Sequence, residues 1–330
     1  MNILVTGGTG FIGEFFIPEL LKLGHNVRLL VRNIDKAQKM FGKTCEYVIG
    51  DICDKDALKN CCDNIDVVYH MVAKVGNEIM SNDVMEEFRK INVVGTKNLV
   101  EEAKKSKVKR FIYVSSIAAM GIVKDEIIDE QSKCNPQIPY QISKYECEMM
   151  LQEEFKNNLF PVICVRPTKV YGVGEHEYSF LTLSKLCKKG IFIQIGEKNN
   201  YVSNIYITDF VKGLISLLDK GNFGEIYILS SKESISFEEI GYIIAHVLKK
   251  KIKIIKISSK LLIFLVALQE RVLLFLNKKP FLTQKNIEAN CVDRIYNISK
   301  AEKELKFIPT VTMKKGIENV VNWYLEKDII

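Results

Sequence analysis

Short apolar runs alternate with segments of helical periodicity through the first half of the chain. Each run is four to six residues long, too short for a helix, and therefore predicts a strand. Because strands that alternate with helices form parallel sheets, this half predicts an α/β fold. The predicted strands are Asn2–Thr6, Asn26–Val31, Cys45–Ile49, Val67–His70, Arg110–Ser115 and Val162–Arg166, and the predicted helices begin near Gly10, Lys36, Lys55, Met85, Tyr140 and Tyr178.

The regular alternation fades beyond Gly172. Val202–Ile207 and Gly224–Leu229 predict two more strands of the sheet, with a helix from Asp209 between them. The C-terminal part is predicted to be mostly helical, in the segments Phe237–Leu248, Leu261–Leu276 and Lys314–Tyr324.

Composition excludes several classes of protein. Of the 330 residues, 47% are hydrophobic, which is ample for a core. The formal charge of +7 comes from lysines spread along the chain without a run of five or six like charges, so no nucleic-acid partner is expected. The nine cysteines include no Cys-x-x-Cys pair, which argues against a metal site. Reduced thiols indicate a cytoplasmic location.

The most apolar stretch, Leu261–Leu276, is interrupted by Gln269, Glu270 and Arg271. It falls short of the ~20 residues that a membrane span needs, so no membrane span is expected. A buried or amphipathic helix is favoured over contact with a membrane surface.

A glycine-rich turn follows the first predicted strand. Gly8-x-Gly10-x-x-Gly13 and Gly7-x-x-Gly10-x-x-Gly13 are two registers of a dinucleotide-binding fingerprint. Glycines let the backbone approach a pyrophosphate, and the N-terminus of the next helix offers it free N–H groups. The turn therefore predicts a bound dinucleotide, the alternative being a purely structural glycine turn.

The end of the second strand indicates which dinucleotide. An acidic residue there binds the 2′-hydroxyl of NAD, whereas an arginine accommodates the 2′-phosphate of NADP. Here the strand ends in Arg32-Asn33, which favours NADP, with NAD as the second choice. After the third strand, Asp51 and Ile52 are suited to the adenine, although a helix N-cap explains Asp51 equally well.

Tyr140-x-x-x-Lys144 is the candidate catalytic pair. Four residues apart on a helix, the two side chains share a face, and a nearby ammonium stabilises a tyrosinate. Tyr296-x-x-x-Lys300 matches the same spacing, but only Tyr140 follows the fifth strand and lies 24 residues after Ser116. A hydroxyl at that strand end can hydrogen-bond a substrate oxygen.

In combination these motifs resemble the extended short-chain dehydrogenase/reductases of the NAD(P)-dependent epimerase/dehydratase superfamily, over nearly the whole chain. The motifs that carry the resemblance are Thr6-Gly-Gly-Thr-Gly-Phe-Ile-Gly13, Asp51-Ile52, His70-x-x-Ala73, Asn92-Val-Val-Gly-Thr96, Val114-Ser-Ser116 with Gly121, Pro139-Tyr-x-x-Ser-Lys144 and Arg166-Pro-x-x-Val-Tyr-Gly172. The C-terminal Pro280-Phe-Leu-Thr283 and Tyr296-Asn-Ile-Ser-Lys-Ala301 are more similar to the hydroxysteroid dehydrogenase and dihydroflavonol reductase branch.

The resemblance implies a doubly wound Rossmann sheet of about seven strands with a smaller, mostly helical C-terminal substrate domain. It implies that 1–173 and 202–231 bind the cofactor and that 174–201 and 232–330 bind the substrate. Tyr140 is then the general acid/base, Ser116 orients the substrate and Lys144 lowers the pKa of the tyrosine. The implied cofactor contacts are Gly7, Thr9, Gly10, Phe11, Ile12, Gly13, Arg32, Asp51, Ile52, Ala73, Asn92, Lys144, Arg166 and Pro167.

Departures from the family pattern narrow the reaction. Ile117-Ala118 follow Ser116 where dehydratases place Asp-Glu, and Val202-Ser203 stand where many nucleotide-sugar epimerases place Arg-Asp. A reductase or dehydrogenase acting on a small-molecule carbonyl or secondary alcohol is therefore favoured. The alternatives are a nucleotide-sugar epimerase with tightly held NAD and a non-catalytic NADP-sensing protein. Substrate contacts are expected from 80–84, 121–139 and 174–200, and a homodimer is the family's habit.

Overall fold

The computed structural model describes residues 1–76, 78–123, 125–175, 179–196, 200–276, 283–284, 287–288 and 291–330. A seven-stranded, entirely parallel sheet forms its centre. This confirms the predicted α/β class and the strand number. The sheet strands are β1 (Asn2–Thr6), β2 (Asn26–Val31), β3 (Glu46–Ile49), β4 (Val67–His70), β5 (Arg110–Val114), β6 (Val162–Pro167) and β11 (Ile226–Leu229). They lie side by side in the order β11-β6-β5-β4-β1-β2-β3.

Both faces of the sheet are covered, as a doubly wound fold requires. Ile3 and Val5 of β1 belong to one buried cluster, and Leu4 between them belongs to the other. The helices are α1 (Phe11–Lys22), α2 (Ile34–Phe41), α3 (Asn82–Phe88), α4 (Gly95–Lys105), α5 (Pro139–Asn158), α6 (Leu181–Lys188), α7 (Ile207–Ser216), α8 (Phe237–Val247), α9 (Ser259–Phe275), α10 (Ser299–Leu305) and α11 (Met313–Glu326).

Short strands outside the main sheet are paired two by two. They are β7 (Val170–Tyr171) with β10 (Ile205–Tyr206), β9 (Tyr201–Val202) with β12 (Ile235–Ser236), and β8 (Ile191–Ile195) with β13 (Lys253–Ile257). The expectation that Val202–Ile207 joins the main sheet is therefore wrong, because this segment is divided between two of the small pairs. The predicted domain boundaries stay predictions.

The helix predicted near Lys55 is also wrong. The side chain of Asp51 accepts from the backbone N–H of Cys53, and that of Asp54 accepts from Asp56 and Ala57. These turns bond the backbone locally and compete with a helix. The helix predicted near Tyr178 begins at Leu181, and Tyr178 itself lies outside the described residues. Among the residues described, no helix is long and apolar enough to cross a membrane.

Candidate active site

The glycine turn between β1 and α1 is shaped by close backbone contacts. Gly7 has a φ of +76°, and a Cβ there would lie 3.0 Å from backbone atoms of Met71 and Val72. A Cβ on Gly13 would collide with the backbone oxygen of Gly8. Both positions therefore require glycine, for backbone conformation and for the packing of α1 against the turn.

The N-terminus of α1 faces the same turn. Its N-cap is Gly10, which has no side chain to bond the first N–H groups of the helix. A cavity of about 640 Å³ is lined here by Gly7, Gly10, Phe11 and Ile12. A helix N-terminus offers a pyrophosphate backbone N–H donors and the positive end of the helix dipole.

A second cavity, of about 530 Å³, shares Gly7, Gly10, Met71 and Ala73 with the first. The predicted cofactor contacts Thr9, Arg32, Asp51 and Ile52 line it, and so do the cationic side chains of Lys36 and Lys74. Asn33, the residue after Arg32, caps α2 by accepting from Lys36 N at 2.9 Å. The end of β2 thus presents cations and no carboxylate.

Asp51 stands opposite Arg32 in this second cavity. Its Oδ1 accepts from the backbone N–H of Cys53 at 2.8 Å, and its Oδ2 lies 3.8 Å from Arg32 Nη1. The bond from Cys53, followed by the charge of Arg32, lowers the pKa of the carboxyl. Asp51 therefore stays ionised and serves a turn, not a helix N-cap.

Ser116, Tyr140 and Lys144 all line the 640 Å³ cavity. Ser116 lies two residues after the end of β5. Its Oγ accepts a hydrogen bond from the backbone N–H of Ala118 at 3.1 Å. Tyr140 is the second residue of α5, which begins with Pro139 at a position that requires no N–H. The three predicted catalytic residues therefore line the wall of one cavity, together with glycines of the turn.

Lys144 is almost completely buried beneath this wall. Its Nζ donates to the backbone oxygen of Val114 at 2.8 Å and lies 4.4 Å from the ring centre of Tyr113. Burial lowers the pKa of the ammonium to about 8. The side chain is thus charged at neutral pH and close to losing that charge.

His70 lies buried at the end of β4. The hydroxyl of Thr96 donates its one proton to Asn92 O. Its oxygen can therefore only accept from His70, so Nε2 of the ring, at 2.9 Å, carries the proton. Nδ1 must then accept from the Thr6 hydroxyl at 2.7 Å, whose oxygen in turn accepts from the N–H of Met71. Burial lowers the pKa of His70 to about 3, and the neutral ring ties β1 to the turn that lines both cavities.

Three predicted cofactor residues do not reach either cavity wall: Gly13, Asn92 and Arg166. The side chain of Asn92 accepts a hydrogen bond from the backbone N–H of Lys74 and donates one to its carbonyl oxygen. It also donates to Ser143 Oγ at 2.8 Å. Arg166 forms a buried two-pronged ion pair with Glu148, with Nη2–Oε2 at 2.7 Å. These side chains hold the surrounding backbone in place.

Several residues that line the 640 Å³ cavity were not predicted from the sequence. Of the ranges expected to contact substrate, only Glu175 reaches the wall within the part of the chain that is described. Pro167, predicted as a cofactor contact, does line the cavity. So do the unpredicted Thr168, Lys169, Ser203, Asn204, Arg294 and Tyr296. Parallel bridges of Ile128 to Tyr296 and of Val202 to Arg294 bring these distant segments together, and the motif that contains Tyr296 gives no sign of it.

The cavities therefore fit a dinucleotide along the turn and a small substrate beyond Tyr140. No group of acidic, histidine or cysteine side chains that could hold a metal ion is found among the described residues.

Comparisons with known proteins identify relatives of this chain. The model of the NAD dependent epimerase/dehydratase family matches residues 3–230. Human dTDP-D-glucose 4,6-dehydratase is 29% identical, over 98% of this chain and 90% of its own. The 3 beta-hydroxysteroid dehydrogenase/Delta 5-->4-isomerase of Mycobacterium tuberculosis is 25% identical, over 98% of this chain and 90% of its own.

Among solved structures, UDP-glucuronic acid 4-epimerase from Bacillus cereus in complex with NAD has a TM-score of 0.76, with 23% identity and 99% of each chain covered. This similarity shows the fold. The family match covers more than half of the chain and includes the glycine turn, Tyr140 and Lys144. The chain therefore belongs to the NAD dependent epimerase/dehydratase family, the enzymes of the short-chain dehydrogenase/reductase superfamily that its motifs resemble.

Proposed function

We propose that the protein is an NADP-dependent oxidoreductase that acts on a carbonyl or secondary alcohol. One observation carries the proposal: Ser116, Tyr140 and Lys144 line a single cavity together with Gly7 and Gly10 of the dinucleotide turn. A bound nicotinamide supplies or accepts the hydride. The protein has then to orient the substrate oxygen and move one proton.

The side chains divide this work. Tyr140 transfers the proton to or from the substrate oxygen through its phenolic hydroxyl, and Ser116 Oγ hydrogen-bonds the same oxygen. Lys144 supplies positive charge from beneath, where burial strengthens its effect on a developing tyrosinate. Val114 O holds its ammonium at 2.8 Å.

Arg32 and Lys36 support NADP over NAD, because both cations line the adenosine end of the groove. A 2′-phosphate there gains charge-assisted hydrogen bonds. The nine free cysteines support a cytoplasmic enzyme. A homodimer completes the proposal and is checked by the mass of the protein in solution.

The direct experiment titrates the purified protein with NADPH and NADH and then screens carbonyl compounds with the preferred one. We expect tighter binding of NADPH and its oxidation in step with carbonyl reduction. Tighter binding of NADH, or no oxidation with any carbonyl, contradicts the proposal.

A nucleotide-sugar epimerase is the second candidate, and Arg294 favours it. This arginine places a cation on the substrate side of the cavity, where a diphosphate requires one. The cofactor released on denaturation separates the two functions. Retained NAD indicates the epimerase, whereas freely exchanged NADPH indicates the reductase.

A further inference from the structure

The helix α9 exposes a continuous apolar stripe. Its large apolar side chains recur at intervals of three and four residues, which places them within an arc of about 120° on the helix surface. Their exposed fractions run from 49% to 89%. The stripe consists of Leu261, Phe264, Leu265, Leu268, Val272 and Phe275 of α9, together with Leu276 directly after it.

The positive charge of the protein is concentrated in the segment of the chain that contains this stripe. Residues 249–276 hold seven of the 47 basic side chains and one of the 40 acidic ones, a net charge of +6, whereas the other 302 residues together carry +1. The lysines are therefore not evenly spread, contrary to the expectation from composition. Lys249, Lys250, Lys251 and Lys253 are exposed just before α9, and Lys260 and Arg271 border one side of the stripe.

We propose that α9 and the preceding lysines dock the enzyme on an anionic lipid bilayer, with the stripe lying in the interface and the lysines at the headgroups. An exposed apolar stripe beside clustered cations has the chemistry of such a surface. Two copies pairing through the stripe would instead bring two lysine-rich segments of like charge together. This interaction surface is independent of the proposed reaction.

Sedimentation with lipid vesicles tests the docking surface on the full-length protein. Vesicles of phosphatidylcholine alone are compared with vesicles that contain about 30% phosphatidylglycerol. We expect binding to the anionic vesicles only, weakened at least about tenfold by high salt. Phe264→Ser/Leu268→Ser and K249Q/K250Q/K251Q should each weaken it by about tenfold or more.

Two matched control variants remove the same number of exposed apolar side chains and of lysine charges at other places in the chain. Ile127→Ser/Ile308→Ser and K314Q/K315Q/K327Q change exposed residues far from α9 in the sequence and should bind like the wild type. Circular dichroism establishes that each variant is folded.

Absence of binding to anionic vesicles overturns the proposal, and so does equal binding by test and control variants. A dimer that Phe264→Ser/Leu268→Ser dissociates, without vesicle binding, also overturns it, because the stripe would then pair with a second copy.

Discussion

Lys144 Nζ and Val114 O lie 2.8 Å apart, which joins α5 to the end of β5 beneath the candidate active site. Burial holds the pKa of this ammonium at about 8, so the charge is lost as the pH rises through that value. If the charge assists proton transfer, kcat/KM should fall above pH 8 with the loss of one proton. A profile of kcat/KM against pH measures this.

Lys144→Arg is the informative variant for the same prediction. Arginine stays charged throughout the accessible pH range, so the fall of kcat/KM at alkaline pH should move to higher pH. The maximal rate should be lower, because the guanidinium is not placed like the ammonium. A wild-type rate that is flat from pH 7 to well above 8, or an alkaline limb unchanged in Lys144→Arg, would contradict a role for this ammonium.

Arg32 should decide cofactor preference. Arg32→Ala removes a cation from the adenosine end of the groove, so the Kd for NADPH should rise about tenfold while the Kd for NADH changes little. Arg89→Ala is the matched control, since Arg89 is exposed and pairs with Glu146. Fluorescence titration reports both constants, and an equal loss of affinity for both cofactors would refute selection by Arg32.

His70 should act on stability and on the cofactor turn. His70→Phe leaves the buried hydroxyls of Thr6 and Thr96 short of a partner, at a cost of about 1–3 kcal/mol in free energy of unfolding. Since the Thr6 hydroxyl also accepts from the backbone N–H of Met71 in the turn, weaker cofactor binding should accompany this loss. Chemical denaturation and cofactor titration measure the two effects.

The pH dependence of stability provides a separate check on His70. Its pKa is about 3 in the folded protein and 6.5 for an unperturbed histidine, so the unfolded chain binds the proton more readily. The contribution of His70 to the free energy of unfolding is therefore fully present above pH 6.5. It is lost as the pH falls towards 3, by about 1.4 kcal/mol per pH unit within that window. His70→Phe should show a shallower decline between these pH values, and identical slopes would show that the ring is not held neutral.

The buried pair of Arg166 and Glu148 should prove structural. Arg166→Met alone leaves an uncompensated carboxylate in the core and should cost about 3–5 kcal/mol. Arg166→Met/Glu148→Leu removes both charges and should recover much of that loss. Retained stability in the single variant would contradict this assignment.

The N-terminal half was predictable because each element carries a local signal. The apolar runs gave β1, β2 and β4 to the residue, and the glycines marked the turn that approaches Met71. Local signals failed near Lys55, where Asp51 and Asp54 turn the backbone with their own side chains.

The substrate side was unpredictable for a different reason. Arg294 and Tyr296 reach the cavity through bridges to Val202 and Ile128, pairings between segments more than 90 residues apart in sequence. Arg294 belongs to no motif, and Tyr296-Asn-Ile-Ser-Lys-Ala301 gives Tyr296 no chemical role, so spacing along the chain gives no indication that the two residues line the cavity with Tyr140. Arg166 shows the converse, since its motif predicted a cofactor contact and its guanidinium lies buried against Glu148.

The most direct test of the account is hydride transfer by Tyr140→Phe, measured as single-turnover oxidation of bound NADPH with a panel of carbonyl compounds. Tyr145→Phe, on the same helix and away from the cavity wall, is the control. We expect Tyr140→Phe to bind NADPH like the wild type and to transfer hydride about 10²–10⁴ times more slowly. Turnover unchanged in Tyr140→Phe across the panel would contradict the proposed mechanism.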